Sequence, residues 1–335
     1  LELIKDMLRF SKIGTSLPDI RFIKEKLILP CVTRDNPFIR APAIEALALY
    51  CYFDSDEARK YIVLLFHVLK KDQEALKLIA LKSIIDLLLI HSDLAQLKTD
   101  SIDENAESGL SESSIVDALS SFLGSDDEVM MYTAVEGFAK LITVGRVREV
   151  KPISMCILLL FNPNSSDEEP IQQCLSLFFS SFLLLKGKNF ANNARLFAKA
   201  FLPTIKIILH APLSSPLSKI SVQQFSNWTF SFFPENHQDF TDKDCYEKHK
   251  ETIDQIRASL TKFILNEILK NDFKNEKDNA EALIFSKLLL PIRLVPDNKE
   301  IAKIVKRIIK KLEDENCDKF VKINLRRFIR SNSIK

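Results

Sequence analysis

Along almost the whole chain, apolar residues recur at i, i+3, i+4 and i+7, the spacing that lines one face of an α-helix. A chain patterned this way has little sequence left from which to build a sheet. The helical runs are broken at Pro30 to Pro37, Lys71-Asp72, Gly124-Ser-Asp-Asp127, Gly145, Asn162-Pro163, Gly187 and Pro212 to Pro216. Between these breaks the pattern predicts about fifteen helices, from near residue 2 to near residue 330.

The breaks are periodic. Helix pairs turn over at Asp35, Asp72, Asp127 and Asn162, at intervals of 37, 55 and 35 residues. The middle interval fits a unit of about 36 residues plus an insertion of about 18. Residues 92–114 are acidic, Ser-rich and short of aromatics. Such a segment buries too little apolar surface to offset its ordering entropy, so a disordered loop is expected there.

Helical hairpins repeating at this period predict an all-α solenoid, with a packed helical bundle as the alternative. Asp35-Asn-Pro-Phe-Ile-Arg40-Ala-Pro-Ala43-Ile-Glu-Ala46-Leu47 follows the HEAT-repeat pattern D-x-x-x-[VI]-R-x-x-A-x-x-A-L. In that reading Asp35 caps the second helix, Pro37 occupies its first turn, and the alanines let helices approach closely. Asp126-Asp-Glu-Val129 to Ala134 and Ala139 repeats the logic without the arginine. The expected organisation is HEAT repeats over 1–91, the acidic insertion over 92–114, and HEAT repeats over 115–335 that end in basic helices.

The chemistry of an enzyme is not visible. Only 6 of 335 residues are Gly, and both phosphate-cradling loops and tight hairpins need glycine for backbone conformations other residues avoid. No Walker motif, G-x-S-x-G elbow, EF-hand loop or H-E-x-x-H occurs. His67, in an apolar helix, is expected to be a hydrogen-bonded core residue. The paired carboxylates Glu168-Glu169 and Asp126-Asp127-Glu128 lie where helices begin, where acidic groups meet the helix dipole favourably. The six cysteines form no C-x-x-C pair, which predicts a reduced intracellular protein. No apolar run nears the ~20 residues of a membrane span. Leu1-Glu-Leu-Ile-Lys5 lacks a signal-peptide layout and an initiator Met, so a soluble piece of a longer protein is expected. No enzymatic activity, cofactor, metal, membrane contact or small-molecule substrate is expected.

The chain has 24 Phe. Phe178-Phe179-x-x-Phe182 and Phe225-x-x-Trp228-x-Phe230-x-Phe232-Phe233 have the spacing of a buried face and uncharged neighbours. They read as core, with a minority left to line a groove for a partner peptide.

The formal net charge of +2 hides a separation. Residues 299–335 hold 12 basic and 5 acidic side chains, and residues 92–128 hold 1 basic and 10 acidic. Between Ile301 and Leu312 one helical face is apolar, while Lys303, Lys306, Arg307, Lys310 and Lys311 occupy the other. The next helix carries Lys319, Lys322, Arg326, Arg327 and Arg330. These faces are either ordinary solvated surface or a patch that exchanges phosphate contacts for released counterions. Arg146 and Arg148 form a smaller basic spot at a turn. Ser215-Pro216 is a minimal proline-directed phosphorylation site, unless its prolines simply end and start helices.

Residues 27–54, Leu-Ile-Leu-Pro-Cys-Val through Ala-Leu-Ala-Leu-Tyr-Cys-Tyr-Phe-Asp, resemble the block I-I-x-P-x-V … R-E … C-L-G-L-x-x-L-L-D. That block belongs to the HEAT-repeat subunits of condensin, the chromosome-associated protein G family. Glu136-Gly-Phe-Ala-Lys-Leu141, Phe161-Asn-Pro163, Gln173-Cys-Leu-Ser-Leu-Phe-Phe179 and Phe201-Leu-Pro203 follow in the family's order, over roughly residues 20–220. Ala48 stands where the family usually has Gly. The resemblance implies a non-catalytic subunit on nuclear chromosomes that binds the kleisin subunit. Through the kleisin it would meet the SMC ATPase subunits, and with the kleisin it would clamp double-stranded DNA non-specifically during mitotic condensation. The alternative is a HEAT adaptor with protein partners only: a cohesin-type accessory subunit, a transport carrier or a phosphatase scaffold.

Overall fold

The structure, a computed structural model, describes residues 1–10, 21–97, 114–165, 169–184, 187–233, 243–271, 273, 275–294, 299–314 and 318–334. Fifteen α-helices and no β-strand occur among them. In chain order they are α1 (Glu2–Phe10), α2 (Leu29–Val32, which continues a π-helical turn, Lys24–Ile28), α3 (Pro37–Cys51), α4 (Ser55–Lys71) and α5 (Glu74–Ile90). There follow α6 (Ile115–Ser120), α7 (Glu128–Val144), α8 (Val150–Phe161), α9 (Glu169–Phe182) and α10 (Phe190–Leu209). The last five are α11 (Val222–Ser231), α12 (Lys243–Lys270), α13 (Glu276–Leu288), α14 (Lys299–Asp314) and α15 (Lys319–Ser331).

The chain divides into two units: Leu1–Pro152 with Gln173–Leu175, and Ile153–Gln172 with Ser176–Lys335. In the first, α3 packs on α1, α5 on α3 and α7 on α5, while α4 packs across α3 and α5. Small residues permit this stacking. Ala43, Ala46 and Ala48 of α3 are buried, and a Cβ added to Gly137 of α7 would lie 2.4 Å from Ile85 Cδ1 of α5. Polar contacts repeat the period: Lys5 binds Glu45, Lys24 binds Glu57 and Arg59 binds Asp93, each at 2.6 Å. Lys24 is buried, its ammonium lying 5.0 Å and 5.7 Å from the ring centres of Tyr50 and Tyr61.

In the second unit α12 packs on α10 and α14 on α12, while α13 packs on α11 and α15 on α13. Two layers result, with α12 and α13 packed as a hairpin across them. The phenylalanine clusters are core. Phe179, Phe197, Phe201, Phe225 and Phe233 are buried, and Trp228 meets the rings of Phe161, Phe179, Phe197, Phe225 and Phe232 at 5.0–6.2 Å.

Helix ends follow their residues. Pro37 opens α3, but the cap is Asn36, whose side chain accepts from Phe38 N–H at 3.0 Å; Asp35 lies one residue upstream of that role. Asp127 caps α7 by accepting from Val129 and Met130. Gly145 closes α7 in the left-handed region, at φ 79°, a conformation glycine adopts at little cost. His67 is exposed on α4 and is not a core residue. Within the acidic insertion, Ser92–Gln96 form a 3-10 turn that buries Leu94 and Ala95, and Ser114 caps α6. The rest of the expected insertion, residues 98–113, lies outside the described residues. No described helix is long and apolar enough to cross a membrane.

Candidate nucleic-acid interface

Helix α14 separates its two faces. Ile301, Val305, Ile308 and Leu312 are buried at helical spacing, a stripe that holds the helix on α12. At 100° per residue, Lys303, Lys306, Arg307 and Lys310 fall opposite that stripe, and all four are exposed. Glu300, in the first turn, is bonded to Lys262 of α12. That hydrogen bond, with the charges of Lys262 and Lys303, holds the Glu300 carboxyl below its usual range. Among the described residues no carboxylate pairs with Lys306, Arg307 or Lys310. Lys306, Arg307 and Lys310 therefore stand in water with no carboxylate partner among the described residues, and Lys303 shares their face.

Lys311 does something else. Its Nζ donates to the carbonyls of Leu269 at 3.0 Å and Asn271 at 2.7 Å, at the end of α12, and lies 5.4 Å from the ring centre of Phe273. A cation at a helix C-terminus satisfies carbonyls that have no partner within the helix. The helical wheel carries the signal: Lys311 sits at the flank of the apolar stripe, beside Ile304, rather than opposite it.

Helix α15 is built the same way. Asp318 caps it by accepting from Phe320 N–H at 2.7 Å. Val321, Asn324, Leu325 and Phe328 are buried, and Asn324 Nδ2 donates to Ser286 Oγ of α13 at 3.0 Å. Lys319, Arg326 and Arg330 form the opposite stripe, with Arg327 exposed on one flank and Lys322 half-buried on the other. α14 packs on α12 and α15 on α13, so the two basic stripes belong to different layers.

Arg146 and Arg148 lie in the first unit. Arg146 donates from Nε to Leu89 O at 3.0 Å and from Nη2 to Ile90 O at 3.4 Å, which ties down the end of α5 as Lys311 ties down α12. Arg148 is exposed, and its Nε lies 3.4 Å from Gly145 O. Ser215 is half-buried, and its Oγ accepts from Leu217 N–H at 3.3 Å, at the start of the turn Pro216–Lys219.

The model of the nuclear condensing complex subunits, C-terminal domain (Cnd3) matches residues 1–294. The chain is 27% identical to human condensin complex subunit 3 over 335 residues, covering 95% of this chain and 32% of that protein. It is 25% identical to the Xenopus laevis counterpart over 352 residues, covering 96% of this chain and 33% of that one. It thus spans about a third of the length of these relatives. In fold it is similar to a chain of the S. pombe condensin Cnd3–Cnd2 subcomplex, with a TM-score of 0.68 and 19% identity over 98% of this chain and 41% of that chain. Stacked helical repeats, the ordered motif blocks and these matches agree: the chain belongs to the Cnd3 family of nuclear condensing complex subunits, over their C-terminal domain.

Proposed function

We propose that this chain is part of a non-catalytic condensin subunit, nuclear and chromosome-associated, that binds the kleisin and with it anchors double-stranded DNA irrespective of sequence. Its link to the SMC ATPases would run through the kleisin. Family membership supports the condensin role. The kleisin reading draws on the fold neighbour, described as a Cnd3–Cnd2 subcomplex.

One observation carries the DNA reading. Lys303, Lys306, Arg307 and Lys310 on α14, and Lys319, Arg326, Arg327 and Arg330 on α15, are exposed in two uniform basic stripes. Such stripes displace condensed counterions from a phosphate backbone without reading bases. Lys311 and Arg146 are engaged with helix ends and contribute field rather than contacts.

A salt titration of DNA binding by the full chain with its kleisin tests this. Reversing Lys306, Arg307 and Lys310 to Glu is expected to lower the salt slope by about 3, with similar losses on unrelated DNA sequences. An unchanged slope would remove α14 from the interface. Kleisin retention with no DNA binding at low salt would favour an adaptor with protein partners only.

A further inference from the structure

The connection between α10 and α11 carries a motif that neither the packing nor the basic stripes use. Of the 13 prolines in the chain, Pro216 alone follows a Ser or a Thr. The dipeptide Ser215-Pro216 lies past the end of α10 at Leu209 and before the start of α11 at Val222. Pro212, Leu213 and Ser214 just ahead of it are exposed. Leu213, at 94%, is the most exposed large apolar residue among those described.

The backbone there has the form a kinase cleft takes. Proline keeps the residue before it out of the helical region, and Ser215 is extended, at φ −79° and ψ 138°. Pro216 has no N–H to donate. A cleft with no acceptor beside that position accepts proline, and any other residue leaves a donor unpaired. Ser215 is half-buried, and its Oγ accepts from Leu217 N–H at 3.3 Å. The turn Pro216–Lys219 that follows buries none of its side chains, so freeing the hydroxyl costs little. Residues 170–234 contain no Asp or Glu, and Lys219 comes four residues after Ser215. A phosphate on Ser215 meets no like charge from its own stretch and has a cation close by in sequence.

We propose that Ser215 is a phosphorylation site for a proline-directed serine/threonine kinase. Ser215 Oγ bonds to the γ-phosphorus of ATP, the bond from that phosphorus to the bridging oxygen breaks to release ADP, and the hydroxyl proton passes to the kinase's base. The product adds about −1.5 to −2 charges at pH 7 to a connection that carries no carboxylate.

The test incubates the full folded chain with a purified proline-directed kinase and ATP. Peptide mapping reads the site, and initial phosphate incorporation reads the rate. One phosphate is expected, on Ser215. Ser215→Ala should abolish it, and Pro216→Ala should slow it at least about tenfold with Ser215 still present. The folded chain should react within about tenfold of a free peptide spanning 208–222, since only one short turn has to open. Phosphate on another residue, a smaller loss for Pro216→Ala, or a folded-chain rate further below the peptide's would each overturn the assignment. If the Pro216→Ala chain misfolds, the same substitution in the peptide decides the role of Pro216.

Discussion

The guanidinium of Arg40 on α3 closes on the carboxylate of Asp72, 2.6 Å away, at the turn between α4 and α5. Asp72 follows Asp35 by 37 residues and marks the same break one repeat later. The residue that punctuates one repeat thus receives the arginine of the repeat before it. Both side chains are largely buried, with 24% and 10% of their surfaces exposed, so removal of one partner leaves a charge short of water and of its counterpart.

Arg40→Ala is therefore expected to destabilise the chain by about 2–3 kcal/mol. Asp72→Ala should act similarly, and the double variant should cost less than the two summed. Urea unfolding of the three variants measures this, and simple additivity would show that the pair is not coupled.

Gly137→Ala pits two effects against each other. Alanine gains about 1 kcal/mol of helix propensity over glycine, but its Cβ would meet Ile85 Cδ1 at 2.4 Å and Cγ1 at 3.0 Å. Overpacking of this kind costs about 1–3 kcal/mol, so net destabilisation is expected. With Ile85→Val in the background the clash eases and the same substitution becomes neutral or stabilising. Thermal melts of the four proteins decide it.

Lys311 and Lys310 are neighbours with opposite duties. Lys311→Met leaves the Leu269 and Asn271 carbonyls unpaired and should cost about 1–2 kcal/mol of stability with little change in the salt slope of DNA binding. Lys310→Met should leave stability within about 0.5 kcal/mol and lower the slope by about 1. A reversed pattern would exchange the two roles.

Cys51 is buried at the end of α3, and burial, helped by the Glu57 charge, pushes its thiol up to about 12. Since only the thiolate reacts, the folded protein should leave Cys51 unmodified by iodoacetamide up to about pH 9, while half-exposed Cys31 is alkylated. The sign is that of an acid held protonated by the fold. The favourable contribution is complete below the thiol's unfolded pKa of about 8.5 and declines as pH rises towards the folded value. Peptide mapping after native labelling tests both statements. Rapid Cys51 modification near neutral pH would mean that α3 opens.

What was legible follows from what is local. The period, the helices and the alanine-lined packing are written in residues a few positions apart, and they fold as read. The cap of α3 fell one residue away because Asn36 accepts a backbone N–H as readily as Asp35 would. The turn Ser92–Gln96 was hidden because its acidic neighbours outweighed Leu94 and Ala95, the two residues it buries. Lys311 and Arg146 were illegible as helix-end ligands, because their carbonyl partners lie about 40 and 57 residues distant in the chain. A sequence displays the cation but not the helix end it meets. The same limit hid which layer each of the two basic helices belongs to.

The stacking of α7 directly on α5 has a consequence for descent. Between the anchored turn at Ser92–Gln96 and Ser114 at the start of α6, the interval can change length at small cost, because α5 and α7 pack on each other directly. Each doubling of such a connection costs only about 0.6 kcal/mol of closure entropy, less than one well-packed side chain contributes. Lineages can therefore rewrite that stretch, adding charge or new recognition sequences, while the repeats on either side keep their register.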